Sequence, residues 1–192
     1  LMQSILLQWL DPVRMENKPN IFLVDVPPEE STAVNKLITD SGIKMLGNAP
    51  IITMRLTEIK GQPVTELAGK QSTGKKPIPQ WILRREFRST YRAELTDTEK
   101  LTAGKWTDSS ERIKPGDPIP VSFEEKIAGD LGLKIGDEVT VSLEGFGETK
   151  TLKIASFREV DWRSMDLNFF IVFPLGTIDD YVSFNVMAAR SP

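Results

Sequence analysis

Hydrophobic positions in this chain alternate between helical and strand spacing. Met2, Ile5, Leu6, Trp9 and Val13 recur with helical period until Asp11-Pro12, which predicts the end of an amphipathic helix over residues 2 to 10. Ile21-Phe22-Leu23-Val24 with Val26 is a short β-rich run. Pro27-Pro28-Glu29-Glu30 then suits a helix start, since proline needs no donor partner there and acids favour the positive helix end. Ala33, Val34, Leu37 and Ile38 make the apolar face of that helix, and Gly42 can cap it. Ile51 to Ile59 reads as a strand ending near Gly61, so residues 20 to 60 predict a β-α-β unit.

Residues 62 to 80 carry proline, glycine and lysine without apolar periodicity, the pattern of a long loop or linker. From Trp81, Phe87, Tyr91, Ala93 and Leu95 alternate with Arg88, Thr90, Arg92 and Glu94, as in a strand with one wet face. Residues 107 to 120 read as irregular. Ser122 and Glu125 are spaced as a capping box before Ile127, Ala128 and Leu131, with Gly132 as the left-handed exit. Leu133-Lys134-Ile135-Gly136-Asp137 should turn into a strand through Val139, Val141 and Leu143, and Gly145-Phe146-Gly147 into a second strand through Leu152 and Ile154. Phe169 to Phe173 is apolar on both faces and predicts a central strand stopped by Pro174. A helical turn over Gly176 to Asp180 and a last strand over Tyr181 to Val186 complete the pattern.

Composition narrows the chemistry. With no His and no Cys among 192 residues, the commonest general base, the commonest metal ligand, thiolate nucleophiles and disulfides are all excluded. A formal charge of −3 gives no global attraction to nucleic acid, and no apolar run reaches the roughly 20 residues that span a bilayer. The chain opens on Leu1 and carries no leader pattern, so it is expected to be a fragment of a longer protein.

Gly69, Gly74 and Lys75 match phosphate-loop spacing, but Lys76 stands where a magnesium-binding hydroxyl should be and Pro77 and Pro79 oppose the helix that should follow. The acidic pairs Glu29-Glu30, Glu124-Glu125 and Asp179-Asp180 each sit at an expected helix start, where the macrodipole accounts for them. No G-x-S-x-G elbow is present, and a Ser-Lys pair has nothing specific to recommend it. Charge is concentrated instead: Lys70, Lys75, Lys76, Arg84, Arg85, Arg88 and Arg92 face one acid, Glu86, between residues 70 and 92. That segment could meet an anionic lipid or an acidic partner, or could be a solvated face balancing acids elsewhere. Trp81, Trp106, Trp162 and the phenylalanines of 169 to 173 could line an apolar groove or fill a core.

An ordered series of short segments resembles the extracytoplasmic domain of FtsX/MacB-type ABC permeases, in particular the YbbP-like branch. The segments are Pro19 to Val26, Arg85 to Leu95, Ala103 to Trp106, Ser122 to Asp137, Val160-Asp161-Trp162, Asn168-Phe169-Phe170 and Phe173-Pro174. The resemblance implies a four-span permease with this domain between its first two membrane helices. It also implies a cytoplasmic ABC ATPase partner, a second permease copy, a lipid or lipoprotein cargo, and no nucleic acid. Fold class is expected to be α+β and two-lobed: a porter-like lobe with the β-α-β unit over 1–80 and 174–192, and a mostly β, sabre-like lobe with hairpins and a short helix over 81–173. No catalytic residue, cofactor or metal is assigned, and motion is expected to enter through the N-terminal helix. A soluble module binding an anionic polymer through Arg84, Arg85, Arg88 and Arg92 is the alternative, and a hydrolase using Ser, Lys or carboxylates the third reading.

Overall fold

A computed structural model of the chain describes residues 18–69, 78–164 and 166–192. In chain order it contains β1 (Ile21–Val26), α1 (Ser31–Asp40), β2 (Lys44–Ile59), β3 (Gln62–Pro63), α2 (Val64–Gly69), α3 (Gln80–Arg84), β4 (Glu86–Tyr91) and β5 (Glu99–Gly104). These are followed by β6 (Ile119–Glu124), α4 (Glu125–Asp130), β7 (Glu138–Leu143), β8 (Glu148–Val160), β9 (Ile171–Phe173) and β10 (Phe184–Arg190). Among the described residues strand far outweighs helix, 45% against 21%, so the α+β expectation holds coarsely as a mostly β fold with few helices.

The described residues form two compact units, one of 18–49, 163–164, 166–167 and 184–192, the other of 50–69, 78–162 and 168–183. The sequence-based boundaries fell at 80/81 and 173/174. The observed changeover at Ala49/Pro50 lies inside β2, because the second half of that strand builds the larger unit.

In the smaller unit β1 pairs antiparallel with β10, Ile21 opposite Ala189 and Leu23 opposite Met187, up to a bulge between Leu23 and Val26. Alternation places Ile21 and Leu23 on the same side as Met187 and Ala189. There α1 contributes Val34 and Ile38, and Ile43 and Met45 add to the same small core. The β-α-β order is as expected from the sequence. The terminal strand begins at Phe184 instead of Tyr181, because Asp179–Tyr181 is taken up by a 3₁₀ turn.

The larger unit closes a ring. From Ile52 onward β2 pairs with β4 on one edge and with β7 on the other; β4 runs parallel to β9, β9 antiparallel to β6, β6 parallel to β8, and β8 returns antiparallel to β7. Six strands thus form a closed barrel, which leaves those edges paired. Alternate residues fill its interior, among them Met54, Leu56, Phe87, Val121, Phe123, Val141, Leu152, Ile154, Ile171 and Phe173. β9 is central as expected, between β4 and β6, although it spans only three residues. β5 continues beyond β7 along the second half of β8.

Several local expectations are corrected. In the stretch expected to be a loop over 62 to 80, residues 62 to 69 form β3 and α2 and Gln80 begins α3, and β4 stops at Tyr91, short of Leu95. Ser122 is not a helix cap: β6 runs on through pairing with β8 to Glu124, whose Oε2 accepts the Ile127 N–H at 2.8 Å and so caps α4. At the other end Gly132 (φ 65°) allows the Leu133 N–H to reach the Ala128 carbonyl at 2.9 Å, a Schellman exit as expected. The predicted helix over residues 2 to 10 lies outside the described residues. So do Gly74 and Lys75, and the segment upstream of them, where a phosphate loop needs a strand, is the helix α2.

Candidate functional site

At one end of the barrel Trp81 on α3, Arg85 just after it, Trp162 and Phe170 come together. α3 starts after Pro79, whose carbonyl accepts the Ile82 N–H at 3.0 Å; Ile82 and Leu83 face the core, which turns Trp81 outward. Extended backbone at Arg85 then leads into β4. The Arg85 guanidinium lies 4.5 Å from the ring centroid of Phe170, 5.7 Å from Trp81 and 5.9 Å from Phe87. Trp162 packs on Phe170 in a tilted arrangement at 4.6 Å, and Phe87 meets Phe170 edge-on at 6.1 Å. Trp81 and Trp162 remain 54% and 45% exposed, so this is an open aromatic platform with a guanidinium on it. Among the described residues Arg85 makes no ion pair with a carboxylate. Stacked exposed cations of this kind gain about 0.5–1 kcal/mol from the rings, which leaves the charge available to a further anion.

Backbone under the platform is fixed by polar groups. The Phe170 carbonyl accepts from the Glu124 N–H at 2.7 Å and from Arg158 Nη2 at 3.2 Å, and Arg158 Nη2 also reaches the Phe169 carbonyl at 3.1 Å. Arg158 Nε donates to Ser122 Oγ at 3.0 Å, and Arg158 Nη1 pairs with one oxygen of Glu99, while Arg92 pairs with the other. Both the Arg158 and Glu99 side chains are 0% exposed. Burial pushes the Arg158 guanidinium down to about 10, with Glu99 opposing that shift, so it stays charged at neutral pH. At the segment's start Thr98 accepts the Asp161 N–H through its carbonyl at 2.9 Å and donates from Oγ1 to Asn168 Oδ1 at 3.1 Å, tying both ends of the turn to the beginning of β5.

Of the seven basic residues singled out by sequence, Arg84, Arg85, Arg88 and Arg92 are described. Lys70, Lys75 and Lys76 lie outside the described residues. Arg85 stands on the platform, Arg84 and Arg88 are exposed, and Arg92 is committed to Glu99. Of the aromatic candidates, Trp81 and Trp162 are exposed, Phe169 and Phe173 belong to the core, and Trp106 is half-buried with its Nε1 donating to the Ala93 carbonyl at 2.6 Å. The acidic pairs Glu29-Glu30 and Asp179-Asp180 sit in first turns of 3₁₀ helices, and Glu124 caps α4, as helix electrostatics requires. Arg158 and Glu99 were missed by sequence reasoning. A signal existed, since Leu152, Ile154, Ser156, Arg158 and Val160 share one phase of β8 and all point inward.

No family model matches the chain. Over 178 residues, 92% of its length, it is 29% identical to an uncharacterized ABC transporter permease, YbbP, of Escherichia coli strain K12, and spans 19% of that protein. A crystal structure of a domain ascribed to a permease of Porphyromonas gingivalis aligns over 88% of this chain and 70% of that one, with 11% identity and a TM-score of 0.36. No helix among the described residues is long and apolar enough to cross a membrane. Through nearly its whole length, the chain is a relative of one segment of an ABC transporter permease.

Proposed function

We infer that this chain is a non-catalytic, extracytoplasmic domain of an ABC permease, which couples ATP-driven motion of membrane helices to the export or release of a hydrophobic or amphiphilic cargo, or to a partner protein. The observation that carries the reading is the similarity to YbbP along 92% of this chain, which spans only 19% of that permease. Within the reading, the ATP is hydrolysed by a separate cytoplasmic ABC ATPase, and a second permease copy and a lipid or lipoprotein are further partners. The domain is periplasmic, with the β-α-β part as porter-like lobe and the barrel as sabre-like lobe. Contact with anionic lipid or a partner falls to the basic stretch from Lys70 to Arg92.

A non-catalytic role agrees with a chain that has neither His nor Cys, and with acidic pairs that serve helix starts. An anionic-polymer module is less well supported, because a polymer track needs several free cations in line, whereas Arg92 is bound to Glu99 and Arg85 sits on aromatic rings. Coupling is tested in the full-length permease assembled with its ATPase. A spin label at Lys126→Cys, on the exposed side of α4, is paired with a second label on a membrane helix. Trapping with ATP and vanadate should change the distance distribution; an unchanged distribution contradicts the coupling.

A further inference from the structure

Two tryptophans about half exposed around a stacked, carboxylate-free arginine are difficult to explain as packing alone. Trp81 sits on α3, whose inward residues Ile82 and Leu83 already fill the core, and Trp162 packs against Phe170 while staying 45% exposed. Single exposed apolar side chains are ordinary, but two indoles grouped with Phe170 and a cation make a contiguous surface that an occupant can cover. The occupant must offer apolar matter to the indoles and negative charge to Arg85. A cavity that envelops a small molecule buries most of it, but these rings form an open surface, which matches a planar partner better than a single ligand. Tryptophan and arginine are also the side chains suited to the headgroup layer, the indole through its amphipathic ring and the guanidinium through its contact with phosphate.

We propose that Trp81, Arg85, Trp162 and Phe170 form a membrane-docking platform that seats this end of the barrel on an anionic phospholipid surface. It keeps Arg85 from the basic stretch named above and adds three aromatic residues, and rests on that reading only for the presence of a bilayer nearby. The two indoles enter the headgroup boundary and Arg85 meets lipid phosphate, while Arg158 and Glu124 act as positioning residues through the Phe170 carbonyl. Because this backbone is held in advance, docking needs no reorganisation of the 168–170 segment.

The 192-residue chain is tested by co-sedimentation with phosphatidylglycerol vesicles and with phosphatidylcholine vesicles at low salt, with tryptophan fluorescence as second readout. Binding to the anionic vesicles with a blue shift, weakened by salt, is expected. Arg85→Gln should weaken it roughly fivefold, and Trp81→Ser or Trp162→Ser about tenfold each. Phe146→Ser, which removes an exposed ring elsewhere on the barrel, should leave it unchanged, and circular dichroism confirms that each variant is folded. The proposal is overturned if neither vesicle binds, if neutral vesicles bind equally well, if the three platform variants bind like the parent, or if only monomeric lysophosphatidylglycerol binds. None of these outcomes bears on the spin-label distances, so the docking platform and the transporter reading can fail separately.

Discussion

Replacing Arg158 with Met removes a buried charge while keeping much of its length and apolar stem. Arg158 is 0% exposed and donates to Ser122 Oγ, to the Phe169 and Phe170 carbonyls, and to Glu99, which is itself 0% exposed. Solvent therefore screens little of the loss. Breaking a buried ion pair by removing one partner costs about 3–5 kcal/mol, and part of that range already includes acceptors left without donors. Arg92 still holds the other Glu99 oxygen, which places the expected cost near the lower end, at about 3 kcal/mol. For a chain of this size that is roughly 6–12 °C in melting temperature. Urea unfolding of Arg158→Met, Glu99→Gln and the double variant measures it. The double variant should lose less than the sum of the single ones, by more than about 1 kcal/mol, because it leaves no buried carboxylate behind. A cost of Arg158→Met under about 1 kcal/mol, or strict additivity, would refute the claim that this pair anchors the platform.

Other consequences follow from individual contacts. Gly104 has φ 76° and an added Cβ would lie 2.1 Å from the Ala155 carbonyl oxygen, so Gly104→Ala should cost at least ~2 kcal/mol in urea unfolding, against about 1 kcal/mol for Gly116→Ala, where φ is 90° but the space is open. Glu124→Ala should cost about 1 kcal/mol by removing the α4 cap, measurable by the same unfolding. Burial would raise the Asp137 carboxyl, but hydrogen bonds from Lys60 and from the Lys134 N–H, with both lysine charges, hold it below its ordinary value. A depressed carboxylate stabilises the fold above its unfolded pKa and loses that contribution as pH falls through the folded one. The stability difference between parent and Lys60→Met should accordingly be present near pH 6 and shrink below about pH 4; a difference that grows on acidification contradicts the pairing.

Local features were readable from the sequence where neighbours in the chain decide them. Gly132 and the turn at Gly136 are set by backbone conformation, and the β7–β8 hairpin by Gly145 and Gly147. Closure of the barrel was not readable, since the pairings of β2 with β7, β4 with β9 and β6 with β8 join segments far apart in sequence. The strand read from the sequence starts at Ile51, yet β2 starts at Lys44 and runs through Asn48-Ala49-Pro50 while the chain passes from one compact unit to the other. Capping was misassigned for a related reason: Ser122 fits a box by spacing, but pairing with β8 holds it in a strand, where it serves Arg158. Of the platform, the aromatic candidates were visible as residue types. Their convergence on Arg85 depends on tertiary structure, with the polar anchoring through Arg158 detectable only from the inward phase of β8.

The proposed function requires this domain to stand outside the cytoplasm as part of a permease. Since the chain has no Cys, Lys126→Cys in the full-length protein provides a single probe within the domain. Labelling with a membrane-impermeant maleimide in cells whose outer membrane is permeable but whose inner membrane is intact should modify that site as completely as after lysis. Modification only after lysis would put the domain on the cytoplasmic side and contradict the account.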